Sequence, residues 1–244
     1  MSAGDPGALE VLWTGDREVA VFKPAGLSSE RPGPSDPASG ESAIARARRQ
    51  FGWPDAQLPH RLDRPTAGIL LIAADRARVA DHAREQQEGR WTKWYLARIP
   101  TLGARGVRAE SIVGMHRAYL RREGRLARSV RSGGDPARLE VLAVAAAGRD
   151  AHALIRLDTG RFHQIRVMLA ELGLPLVGDR DYGGASRAEG LQLISAALVL
   201  SRGAATARIE VPNLAARGIA PELVSALAAA VSATPADPAT SPGA

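Results

Sequence analysis

The 244-residue chain contains no cysteine. That excludes disulfides, thiol nucleophiles and cysteine-held zinc or iron–sulfur groups, and it agrees with a reducing cytoplasm as the expected location. Aromatic residues are scarce, at 4%, so Leu, Val, Ile and Ala must build the core. No stretch approaches the roughly 18 uninterrupted apolar residues that a membrane span requires. The start, Met1-Ser2-Ala3-Gly4-Asp5-Pro6, has no basic segment followed by an apolar one, so no secretory signal is expected. The five histidines, at 60, 82, 116, 152 and 163, lack ligand spacing, so no metal is expected either. Acidic charge is in deficit: 26 Asp and Glu face 32 Lys and Arg, a formal net charge of +6.

Hydrophobic content is an ordinary 45%, enough for a sizeable core. Alternating apolar patterns predict strands over 10–14, 17–22, 69–73, 91–99, 110–120, within 138–158, and over 191–200 and 205–211. Helices are predicted over 42–51, from an Asp75 cap to about 89 with Val79, Ala83 and Gln86 on one face, around 162–172, and over 221–231. Phe162, Ile165, Leu169 and Leu172 would form the apolar stripe of the third, with Arg166 on its flank. Strands outnumber helices without alternating with them, which predicts an α+β fold, a mixed and largely antiparallel sheet flanked by helices. One domain over 8–231 is expected. The segment 31–40 is pure loop chemistry, and 232–244 is too poor in bulky apolar groups to pack, so a disordered tail is expected there.

Much of the positive charge is clustered arginine. Arg46, Arg48 and Arg49 share one predicted helix, and the segment 116–131 carries six arginines against one glutamate. Such a strip suits phosphates, or is simply a solvated face.

One carboxylate stands out, in His60-Arg61-Leu62-Asp63-Arg64-Pro65-Thr66-Ala67-Gly68, just ahead of the apolar run Ile69-Leu70-Leu71-Ile72-Ala73. Pro65 stiffens the loop and Gly68 allows close packing at the mouth of the strand. The flanking arginines favour ionised Asp63, which suits a nucleophile or an electrostatic anchor rather than a general acid. On residue type alone a plain loop salt bridge is the commoner outcome.

Three further segments stand beside it: Lys93-Trp94-Tyr95; Gly160-Arg161-Phe162-His163-Gln164-Ile165-Arg166; and Gly178-Asp179-Arg180-Asp181-Tyr182-Gly183. With Lys23-Pro24-Ala25-Gly26-Leu27 and the Asp63 segment, in this order, the chain resembles the RluA-type RNA pseudouridine synthase family over roughly residues 9–215. The resemblance implies that family's fold with a central active-site cleft, and an isomerase that turns uridines of ribosomal or transfer RNA into pseudouridine. It implies Asp63 as the catalytic carboxylate, paired with Arg166, and Tyr95 stacked on the target base. Arg61 would help hold the displaced RNA backbone. Arg64, Lys93 and His163, with Arg121, Arg122 and Arg125 of the strip, are the other expected RNA contacts. No cofactor is implied, and the partner is RNA, met by a monomer.

Two residues depart from the family pattern. Phe162 replaces a small hydroxyl residue and Met168 a frequent histidine. The early motif begins so near the start that no amino-terminal S4-like RNA-binding domain is expected. A non-catalytic RNA-binding or chaperone protein on the same fold is the competing class. A two-carboxylate glycosidase is disfavoured, because Asp179 and Asp181 sit in a turn and read as structural.

Overall fold

The computed structural model describes residues 7–30, 40–103 and 106–237. In chain order the elements are β1 (Glu10–Gly15), β2 (Glu18–Lys23), α1 (Ala43–Phe51), β3 (Ala67–Ala73), α2 (Arg76–Gln87), β4 (Trp91–Pro100) and β5 (Gly114–Glu123). There follow β6 (Leu126–Val130), β7 (Asp135–Ala147), β8 (Asp150–Leu157), α3 (Gln164–Glu171), β9 (Leu193–Leu200), β10 (Ala207–Glu210) and α4 (Pro221–Ala233). The class is α+β, as expected. Tertiary contacts divide the chain into two compact units. One comprises the described residues up to Trp91 with Ser195–Val211 and those from Pro235, the other Thr92–Ile194 with Pro212–Thr234.

In the first unit β1, β2 and β3 pair antiparallel, β9 lies next to β3, and β10 pairs antiparallel with β9. Gly68 and all that follows it in β3 are buried, as a strand covered on both faces requires. The β1–β2 turn is Asp16-Arg17, one residue later than the sequence suggests, with Arg17 left-handed (φ 54°) and ion-paired to Asp75. Ser42 caps α1 by accepting from the Ala45 N–H (3.3 Å), and Asp75 caps α2 by accepting from the Arg78 N–H (3.0 Å). The predicted apolar face of α2 is not the buried one: Ala83 is exposed and His82 is fully buried. His82 Nε2 lies 2.8 Å from Glu18 and Nδ1 3.1 Å from Glu85, while Arg202 donates to both carboxylates (2.6 and 2.7 Å) and Arg78 to Glu18 (2.8 Å). The helix docks through ion pairs, a contact that hydrophobic periodicity cannot register.

In the second unit the strand order is β4-β8-β7-β5-β6, every pair antiparallel. Helix α4 packs on β7 and β8 through Leu223, Leu227 and Val231, and α3 packs on β6. The predicted strand at 110 starts later, because Ala109–Ile112 winds into a 3-10 turn before Gly114. Phe162 is not on α3: His163 is left-handed (φ 55°), so the helix begins only at Gln164.

Of the expected tail, Ser232 and Ala233 are helical, and the Pro235 and Ala236 carbonyls accept from Ser201 Oγ (2.8 Å) and the Gly203 N–H (2.9 Å). Those backbone bonds order it without bulky side chains. Residues 31–39 of the expected loop and 238–244 of the tail lie outside the described residues.

Candidate active site

The Asp63 loop is clamped from several sides within the first unit. Gln57 exchanges backbone bonds with Ala73 (2.9 and 3.0 Å), fixing where the loop leaves the sheet. His60 Nε2 accepts the Leu71 N–H (2.9 Å) and its ring stands edge-on to Trp91. Buried Leu62 is held at both backbone groups by Ser29 Oγ, donating to its carbonyl (2.7 Å) and accepting from its N–H (3.2 Å). The Thr66 N–H closes a turn onto the Asp63 carbonyl (3.0 Å). Gly68 follows at φ 112°, where a Cβ would come within 2.2 Å of the Ser195 carbonyl oxygen. Only glycine fits that approach.

Beneath this loop lies Lys23, fully buried at the end of β2. Its Nζ donates to the carbonyls of Leu27 (2.8 Å), Pro24 (3.0 Å) and Arg64 (3.2 Å). Burial drives its pKa down to about 8 against the opposing pull of Asp63, whose negative charge favours the ammonium. A cation solvated by three carbonyls in the field of Asp63 is part of the site. In the sequence Lys23 stands out only as part of a motif. The signal was available: Lys23 and Lys93 are the only lysines in an otherwise arginine-dependent chain. Arg61 and Arg64 are exposed on the loop, Arg61 paired with Glu30 (2.9 Å) and Arg64 Nε donating to the Gly26 carbonyl (2.9 Å).

The second unit builds its own charged centre around Arg166 at the start of α3. This guanidinium is buried. It grips Asp179 in a fork, Nε to Oδ2 at 2.8 Å and Nη2 to Oδ1 at 2.7 Å, and Nη2 also reaches Asp181 (2.8 Å). The Tyr182 ring lies 4.9 Å from its carbon centre. Arginine has only hydrogens to offer, so His163 Nε2 accepts from Nη1 (3.0 Å) and its proton belongs on Nδ1, which donates to the Tyr182 hydroxyl (2.9 Å). Burial and the Arg166 charge, against Asp181 and with help from Arg122, hold His163 at about 4, neutral at pH 7. A neutral ring with both nitrogens engaged orients Arg166.

Tyr95 is buried in mid-β4, and Lys93 is half-buried two residues earlier, its ammonium pushed down by burial. Of the strip, Arg121, Arg122 and Arg125 are exposed, and Arg122 lies 4.4 Å above the Phe162 ring, itself stacked on His163 (3.8 Å). The other cluster is spent internally: Arg46 donates to the Gly7 carbonyl, Arg48 doubly to that of Ala56, and Arg49 pairs with Glu41. Among the described residues no group of three or more His, Asp or Glu is arranged to hold a metal ion.

The architecture has solved counterparts. A human protein, RNA pseudouridylate synthase domain containing 1, superimposes with a TM-score of 0.68 over 96% of this chain and 99% of its own, at 24% identity. That likeness establishes the fold. The profile of the RNA pseudouridylate synthase family matches residues 18–171, across both units, and this chain belongs to that family. Among individual proteins it is 32% identical over 175 residues to the dual-specificity RNA pseudouridine synthase RluA of Escherichia coli O6:H1, covering 71% of this chain and 77% of that one. It is equally identical over 188 residues to the ribosomal large subunit pseudouridine synthase D of Nitrosomonas europaea, covering 73% and 51%. The protein is therefore an RNA-modifying isomerase of the RluA type. No helix among the described residues is long and apolar enough to cross a membrane.

Proposed function

We propose that the enzyme isomerises particular uridines of ribosomal or transfer RNA, with Asp63 as its catalytic carboxylate and the target nucleotide everted from its stack. In this reaction the bond from C1′ to uracil N1 breaks, the freed base turns over, and C5 bonds to C1′. C5 gives up its proton and N1 gains one, so composition is unchanged and no redox partner is needed. Eversion costs a few kcal/mol. Arg61 and Arg64 on the phosphates and Tyr95 under the uracil offset it, stacking alone contributing about 1–3 kcal/mol. Arg166, locked by Asp179 and His163, supplies a fixed positive charge that needs no rearrangement during the reaction. The protein acts as a monomer.

The observation that carries this reading is how Asp63 is presented. Its turn is pinned by Ser29, His60 and Gly68, and Lys23 faces it from below. A structural carboxylate does not need a loop this rigid over a buried cation. The test is incubation with bulk ribosomal and transfer RNA followed by chemical mapping of pseudouridine. Wild type forms product and Asp63→Asn loses about 10³-fold or more of the rate while still binding RNA. Undiminished product from the variant, or none from wild type, discards the reading. Site-resolved mapping of RNA from a deletion strain against its parent then identifies the uridines.

A further inference from the structure

The register of β5 separates the arginine strip into two faces. Leu120 is buried on one, so Met115, Arg117, Tyr119 and Arg121 point the other way, and all four are exposed. Across the ladders Arg117 stands opposite Arg138 of β7 and Arg121 opposite Arg128 of β6. Between these pairs Tyr119, 52% exposed, is flanked by Val130 and Pro136. Arg122 belongs to the opposite face, over Phe162. Like charges set directly across a ladder destabilise a sheet, so folding gives no reason for two such pairs around a tyrosine. Glu123 relieves one pair, lying 3.1 Å from Arg121 and 3.0 Å from Arg128. Glu140, the other carboxylate on this face of β7, pairs with Arg156 (2.9 Å). Arg117 and Arg138 carry no ion pair among the described residues.

We infer that this face binds a single-stranded segment of the substrate RNA, phosphates against the two arginine pairs and one base stacked on Tyr119. The inference rests on the enzyme's acting on RNA and adds where that RNA lies. Charge complementarity selects a polyanion, which relieves the repulsion built into the ladder. The tyrosine selects among polyanions: a duplex hides its base faces, and the carboxylate side chains of an acidic peptide have no ring to match, whereas an unpaired base stacks on an exposed aromatic whatever its sequence.

The test uses the full chain, a fluorescent oligouridylate, a duplex RNA of equal length, and polyglutamate as competitor. Tyr119→Ala should weaken oligouridylate binding about 5-fold or more with an unchanged salt slope, and leave duplex binding as it was. The double variant Arg117→Gln, Arg138→Gln should weaken binding and flatten the slope of log affinity against log salt by about 1.4, at roughly 0.7 per phosphate contact on single strands. Neither should lower the thermal midpoint, since all three side chains are exposed and the double variant removes repulsion. The face is rejected if Tyr119→Ala binds oligouridylate like wild type, if duplex binds better, if polyglutamate displaces RNA as effectively as unlabelled RNA does, or if the midpoints fall. Asp63→Asn should bind oligouridylate as wild type does, so failure of this face leaves the isomerase assignment standing and failure of the Asp63 test leaves the face.

Discussion

At the scale of single residues, the site depends on charges placed where water cannot reach them. Lys23 is tolerated because three carbonyls and the field of Asp63 replace its hydration. Asp63→Asn should therefore lower the Lys23 pKa further below about 8. Side-chain NMR of a chain with two lysines resolves that titration, and an unmoved value would uncouple the pair. Arg166 depends on Asp179 in the same way. Asp179→Asn leaves a buried guanidinium poorly matched and should cost about 3–5 kcal/mol in denaturant unfolding, more than the surface substitution Arg61→Gln. Gly68→Ala should cost about 2 kcal/mol or more, because a side chain at φ 112° meets the Ser195 backbone.

At the scale of elements, the β5–β6 hairpin is held by a side chain from a distant loop. Tyr182 Oη accepts the Ala127 N–H (2.7 Å) and donates to the Ala127 carbonyl (3.3 Å), while receiving the His163 proton. Tyr182→Phe should speed hydrogen exchange at the Ala127 amide and destabilise by about 1 kcal/mol per bond lost. Unchanged exchange would mean that the hairpin is held by its own ladder. Because the same hydroxyl touches His163, which positions Arg166, loosening this strand also loosens the guanidinium centre.

At the scale of the whole molecule, charge sets both stability and affinity. Burial alone would raise Glu18 and Glu85 and lower His82, but hydrogen bonds from His82 and Arg202 hold both carboxylates at about 2, and the two carboxylates in turn raise the histidine. The stability from Glu18 and Glu85 is present above their ordinary value of 4.5 and lost as pH falls towards 2. That from His82 is present below 6.5 and lost as pH rises through its raised pKa, whereas His163, depressed to about 4, loses its share between 6.5 and 4. Urea midpoints should thus peak near neutrality and fall on both sides, and His82→Gln should remove the alkaline fall. RNA affinity should drop steeply with salt, and charge reversal across Arg121, Arg122 and Arg125 should weaken affinity more than turnover. A flat salt response removes the strip from RNA binding.

Most of the strands and helices, the cap at Asp75, and the motifs around Asp63, Tyr95 and Arg166 were legible in the chain, because periodicity, capping chemistry and motif spacing are local. So was the family. What surrounds each charge was decided by tertiary structure alone: Asp179 as the partner of Arg166, His163 neutral beneath it, a polar rather than apolar seat for α2. The division of the arginines between internal carbonyls and an open sheet face is of the same kind. These ion pairs and ladder registers join residues on different elements or loops, and no local pattern constrains which acceptor a long charged side chain will find once the backbone has closed around it.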